Sequence, residues 1–129
     1  MTRRNVSSNS PYEPLVGFSR AVRVGQHVFV SGTVGRGADG AVVSGGVYEQ
    51  SKQIIENVRV ALEQAGASLT DVVRTRTYLV DVATQDDFAR AHREAFGDIR
   101  PASTMVEVSR LASPEMLVEM EADAVIEGS

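Results

Sequence analysis

The sequence predicts an α+β chain in which a mixed β-sheet carries two helices packed on one face. Three observations lead there. The first third holds short apolar runs broken by turn residues, the middle holds two stretches with helical apolar spacing, and an alternating segment closes the chain. A strand lies between the two helices, so each helix acts as a crossover and both fall in one layer.

The elements follow in order. Residues 1–14 are polar with two prolines, which predicts a flexible arm ahead of a single domain over 15–129. Val22 to Val24 and Val28 to Val30 are apolar runs separated by Gly25-Gln26-His27, a hairpin signature. A second turn signal, Asp39-Gly40, sits between Thr33-Val34 and Ala41 to Val43, extending the hairpin into a meander. From Val47 to Ala65 the residues Ser51, Ile54, Ile55, Val58, Ala61, Leu62 and Ala65 recur at helical spacing, and Gly66 supplies the left-handed stop.

Val72 to Asp81 alternates, with Val73, Thr75, Thr77 and Leu79 on one face and Arg74, Arg76, Tyr78 and Val80 on the other. Thr84 followed by Asp87 gives a capping-box-like start to the second helix, whose stripe of Phe88, Ala91, Ala95 and Phe96 ends before Gly97. After Arg100-Pro101, residues 104–111 and 115–127 read as strands. The last strand sets Met116, Val118, Met120, Ala122, Ala124 and Ile126 on one face and Glu119, Glu121 and Asp123 on the other. One sheet face lies under the helices, and the half-polar second face calls for burial against another subunit.

Composition narrows the function classes. A chain of 129 residues with 43% hydrophobic content builds one core and not two. The formal charge of -4 provides no positive field for nucleic acid or an anionic membrane. With no cysteine there is no disulfide, thiolate nucleophile or zinc-thiolate site, which suits a reducing cytoplasm. No apolar run approaches the ~20 residues of a membrane span, and none follows the early Arg pair, so the expectation is a soluble, unprocessed protein.

Generic motifs add little. Gly35, Gly37 and Gly40 match a G-x-G-x-x-G spacing, but the helix that a dinucleotide site requires does not follow, so a glycine-rich hairpin is the simpler reading. Ser31 lacks the surroundings of a nucleophile elbow and reads as a hydrogen-bonding serine at a strand end. His27 and His92 have no ligand-spaced partners, so no metal and no cofactor are expected. The acidic row Glu119, Glu121 and Asp123 is either paired across strands with Arg74, Arg76 or Arg110, or contributes one member to a site.

Five segments carry a resemblance: Arg23-Val24-Gly25 through Val30-Ser31-Gly32; residues 57–81; Pro101-Ala102; Val106-Glu107-Val108-Ser109-Arg110-Leu111; and Val118-Glu119-Met120-Glu121-Ala122. In this order they resemble the Rid/YjgF family over roughly residues 16–126, whose members were once labelled translation inhibitors or perchloric-acid-soluble ribonucleases. The resemblance implies a chorismate-mutase-like fold and a homotrimer whose sheets form a central barrel, with a ligand pocket at each subunit interface. In the better studied branch that pocket hydrolyses reactive enamines and imines left by PLP enzymes, giving ammonia and a 2-oxo acid.

Position by position, the resemblance implies a rewritten site. Ser103 stands where the family has the arginine that follows Pro-Ala, so the carboxylate fork is missing there. Ser31 and Gly32 match, and Glu119 matches the family's site glutamate. The site tyrosine falls on Phe18 by ungapped count, with Tyr12 as the alternative at a longer spacing. The helix-two asparagine falls on Arg90, whose guanidinium either reaches the pocket or pairs at the surface with Asp86, Asp87 or Glu94, with Arg20 as its competitor for the site. The expectation is a homotrimer with pockets for a small metabolite, a hydrolase or deaminase of C=N-type substrates outside the usual 2-imino acids. The alternatives are a true imine deaminase in which another arginine supplies the anchor, a ligand-binding or interaction trimer without turnover and, as an outlier opposed by the charge balance, an endoribonuclease.

Overall fold

A computed structural model describes residues 2–127; the ends of the expected arm and domain, at residue 1 and residues 128–129, lie outside them. Six strands form one sheet in the order β1-β2-β3-β6-β4-β5. They are β1 (Arg3–Val6), β2 (Ala21–Val24), β3 (His27–Thr33), β4 (Val72–Leu79), β5 (Ala102–Glu107) and β6 (Val118–Val125). All neighbours are antiparallel except β4 and β5, which are parallel because helix α3 (Gln85–Phe96) carries the chain back across the sheet between them. The fold is therefore α+β with a mixed sheet.

Helix α2 (Val47–Gln64) buries the stripe Ile54, Ile55, Val58, Ala61 and Leu62. It ends where Gly66 takes φ of 86°. Below the helices the sheet presents Val28, Val30, Leu79, Val118, Met120, Ala122 and Ala124, completing a single core with Phe88 and Phe96 of α3. Strand β6 alternates buried and half-buried residues along its whole length, so Glu119, Glu121 and Asp123 share the open face. That face also carries Phe29 and Val106, each more than two-fifths exposed.

Several expectations are corrected. In the expected arm, Arg3–Val6 form edge strand β1 on β2, and a short helix, α1 (Tyr12–Val16), begins before residue 14 and runs past it. Only Val6 of β1 turns inward, which is why the segment reads as polar. Ala41 to Val43 make no strand of the sheet; the Gly-rich loop is held by an isolated bridge between Arg36 and Val42. A bulge between Val72 and Arg74 leaves Val72 buried and Val73 exposed, reversing the expected start of β4. Thr84 makes no side-chain cap to α3; the turn at Val82–Thr84 before it is capped by Asp81, which accepts from the amide of Ala83 at 2.9 Å and, through its carbonyl, from the Thr84 hydroxyl at 2.6 Å.

Candidate functional site

Residues ahead of β2 build one wall of a cavity. Helix α1 stops at Gly17, where φ of 93° turns the chain and the amides of Gly17 and Phe18 both donate to the carbonyl of Glu13. The Glu13 side chain is buried and accepts from Ser7 Oγ, the amide of Ser8 and Ser8 Oγ. Burial pushes its pKa up, but the bonds from Ser8 and Ser7 and the charge of Arg20 outweigh this and hold it below the usual carboxylate value. A satisfied buried anion thus ties helix α1 back to the segment after β1.

From there the chain runs beside the end of β3. The amide of Ser31 donates to the Arg20 carbonyl at 2.9 Å, and Ser31 Oγ donates to the Ser19 carbonyl at 2.7 Å, so Ser31 is spent on the backbone. Opposite lies Arg20, whose Nη1 donates to the Gly32 carbonyl at 2.7 Å and to Thr33 Oγ1 at 3.2 Å. Its guanidinium also sits 5.4 Å from the centre of the Phe18 ring. A register shift between Val30 and Thr33 takes Gly32 out of the ladder with β6. Glu119 occupies the space so freed, because a Cβ on residue 32 would overlap its carboxylate.

The cavity in front of these groups is about 1060 Å³ and is walled by Tyr12, Phe18, Arg20, Gly32, Asn57 and Glu119. Asn57 fixes its far side by donating to the carbonyls of Val34 and Arg36. Burial raises the Glu119 pKa, Arg20 opposes that rise, and Glu121 adds to it. Burial likewise lowers Arg20, against Glu13 and Glu119, which raise it. The result is a half-buried carboxyl beside a partly desolvated cation.

The rest of the acidic row is otherwise engaged. Glu121 accepts from the Tyr78 hydroxyl at 2.8 Å, and Asp123 pairs with Arg76 at 3.3 Å. His27 stacks on Phe29 with ring centres 6.3 Å apart. The expected site residues thus separate into two places. Tyr12, Phe18, Gly32 and Glu119 meet in one cavity with Arg20, whereas Ser103 lies on β5, bonded to Thr75 on the helix side of the sheet.

Within one subunit Arg90 does not line that cavity. Its guanidinium lies 3.6 Å from the centre of the Tyr48 ring, on the exposed side of α3. At 100° per residue, a position midway between the inward-facing Phe88 and His92 must point away. The residue of α3 that turns toward Ser103 is His92, through Thr75.

The α+β subunit with its mixed sheet has the chorismate-mutase-like fold of its structural neighbours. The chain matches the Endoribonuclease L-PSP family over residues 8–126 and belongs to that family, the Rid/YjgF superfamily. A crystal structure of a YjgF/YER057c/UK114 family member from Mycobacterium tuberculosis superposes with a TM-score of 0.89 at 45% identity, covering 97% of this chain and 100% of that one. A RutC family protein of Pyrococcus abyssi is 40% identical over 96% of this chain and 98% of its own length. The human 2-iminobutanoate/2-iminopropanoate deaminase is 30% identical over 97% and 91% respectively.

Proposed function

We propose that the chain forms a homotrimer in which neighbouring subunits complete the cavity around Arg20, Gly32 and Glu119, and that this pocket hydrolyses a C=N bond in a small anionic metabolite. The observation that carries this reading is the Arg20 guanidinium, held against Gly32 and facing the half-buried Glu119. Arg20 binds an oxygen anion of the substrate. Glu119 takes a proton from a water molecule as the water oxygen bonds to the imine carbon and returns it to the nitrogen, giving a carbinolamine; it then moves the proton of the new hydroxyl to the amino nitrogen as the C–N bond breaks, so that a carbonyl compound and ammonia leave. The names of the human and rat deaminase relatives support the reaction class.

The anionic group held at Arg20 sits on the Gly32 side of the cavity, not at the β5 position where Ser103 stands. Because Ser103 stands at the position of the family's arginine, the substrate differs from the 2-imino acids of the better studied branch. Ammonia release from an enzymatically generated 2-aminoacrylate imine is expected to be slow, and Ser103→Arg is expected to raise it. Wild-type turnover equal to that of an arginine-bearing relative would refute this assignment.

Assembly is tested separately. Phe29 and Val106 lie exposed among charged neighbours on the open sheet face, and burying that face needs other copies of the chain. Light scattering is expected to give three times 13.9 kDa. A monomer at micromolar concentration would remove the shared pocket.

A further inference from the structure

Two arginines line the Glu119 cavity, and both are held in the same manner. Arg20 spends Nη1 on the Gly32 carbonyl and Thr33 Oγ1 and lies near the Phe18 ring. Arg36, on the Gly-rich loop, donates from Nη1 to the Gly40 carbonyl at 2.8 Å and lies 5.7 Å from the centre of the Tyr12 ring. Tyr12 opens helix α1 and Phe18 follows its end, so each cation is paired with an aromatic ring at a different end of that helix. Arg20 feels the charges of Glu13 and Glu119 but not that of Arg36, which sets the two guanidiniums too far apart for one carboxylate to bridge.

The backbone under Arg36 is fixed from both sides. Asn57 donates to its carbonyl at 3.0 Å, Arg36 bridges to Val42, and Gly35 packs so closely on Gln50 that a Cβ would overlap the helix backbone. The fork it carries is free. Among the described residues neither Arg20 nor Arg36 has a carboxylate at ion-pair distance, whereas Arg59 and Arg76 do. Of the N–H donors of a guanidinium, Arg36 uses only the one to Gly40. Two carboxylates line the same cavity, but Asp39 accepts from the amide of Ala41 at 3.0 Å and Glu115 is exposed, so both are solvated and their field is screened. They tolerate one more compensated negative charge and oppose a phosphate group, which carries nearly two.

We infer that Arg36 is a second anion anchor, and that the ligand of this cavity is a small molecule with two carboxylates, one held by Arg20 and the other by Arg36. This rests on the reading of Arg20 as the first anchor, but not on turnover at Glu119. Arg36 supplies the selectivity for the distal acid group, and Asn57 acts through it as a positioning residue.

Calorimetric titration of the full-length protein at constant ionic strength tests it, with succinate, glutarate and adipate set against butyrate, valerate and hexanoate, the monoacids of matching length. At the best-fitting length the diacid is expected to bind about tenfold tighter than its monoacid, beyond the statistical gain of two equivalent ends, the scale of one charge-assisted contact at a half-exposed arginine. Arg36→Met should reduce the ratio to the statistical gain alone. Arg36→Lys should keep part of it, since it retains the charge without the fork. 3-Phosphonopropionate should bind more weakly than succinate, and the reverse order would overturn the choice of a carboxylate. A wild-type ratio no larger than the statistical gain at every length, or a ratio that survives Arg36→Met, would sink the inference. A ratio that depends on Arg36 while Arg20→Met leaves monoacid affinity unchanged would count against the proposed function and leave the second anchor standing.

Discussion

Glu119→Gln is expected to lower turnover by about 10²- to 10⁴-fold with little change in substrate affinity, the usual range for removing a positioned general acid-base group. Glutamine fits the space beside Gly32 and keeps an acceptor, but it cannot take and return a proton. Glu121→Gln provides the control, because its carboxylate is held by the Tyr78 hydroxyl outside the cavity, and it should leave turnover within a few-fold of wild type. Turnover that survives the first change and fails in the second would show that the wrong member of the row had been chosen. The pH profile carries a second signature. Burial raises the Glu119 pKa above its ordinary 4.5, so the acid limb of the rate profile should lie above the range of a solvated glutamate.

The same shift fixes the sign of a stability effect. A carboxyl whose folded pKa is raised binds its proton more tightly in the folded state, so its contribution is present below pH 4.5 and is lost as pH rises through the folded value. At neutral pH the ionised, half-buried Glu119 is a burden, and Glu119→Gln should not lower the melting temperature there. Wild type should gain relative to the variant as the solution is acidified through that window.

Legibility in the sequence followed the source of each element's stability. Helix α2 and strand β6 were readable because their periods of 3.6 and 2 are the direct imprint of burial on one face. Strand β1 left no such imprint, since Arg3, Arg4 and Asn5 stay exposed at a sheet edge and only Val6 is buried. Helix α1 has five residues and owes its place to bonds between Glu13 and Ser7 and Ser8, which no local propensity records. The bulge in β4 is a tertiary adjustment, and it exchanged the faces of Val72 and Val73.

The candidate site divides in the same way. Counting outward from the Gly25-Gln26 turn sets residue 20 against residue 31, so the approach of Arg20 to Gly32 was implicit in the hairpin register. Arg90 was placed by likeness of sequence position; within one subunit its guanidinium lies over the Tyr48 ring. The line from His92 through Thr75 to Ser103 joins residues 17 and 28 positions apart, on three elements whose proximity exists only after the parallel crossover forms.

Arg20→Met is expected to weaken binding of small carboxylates by about two orders of magnitude, the scale of one or two charge-assisted hydrogen bonds. Methionine keeps much of the contact with Phe18 but removes the donors to the Gly32 carbonyl and Thr33 Oγ1, so a loss of roughly 1–3 kcal/mol of stability should accompany it. Arg20→Lys separates charge from geometry. An ammonium restores the field at Glu119 but not the planar fork, and it should recover the pH profile more fully than the affinity. The direction of the pH effect is fixed, because Arg20 lowers the Glu119 pKa against burial and its removal must move the acid limb to higher pH. Calorimetric titration with 2-oxo and 2-hydroxy acids and a rate profile of each variant measure both quantities. Unchanged carboxylate affinity in Arg20→Met would place the anion elsewhere, and an acid limb that moved downward would mean that Arg20 and Glu119 do not share one site.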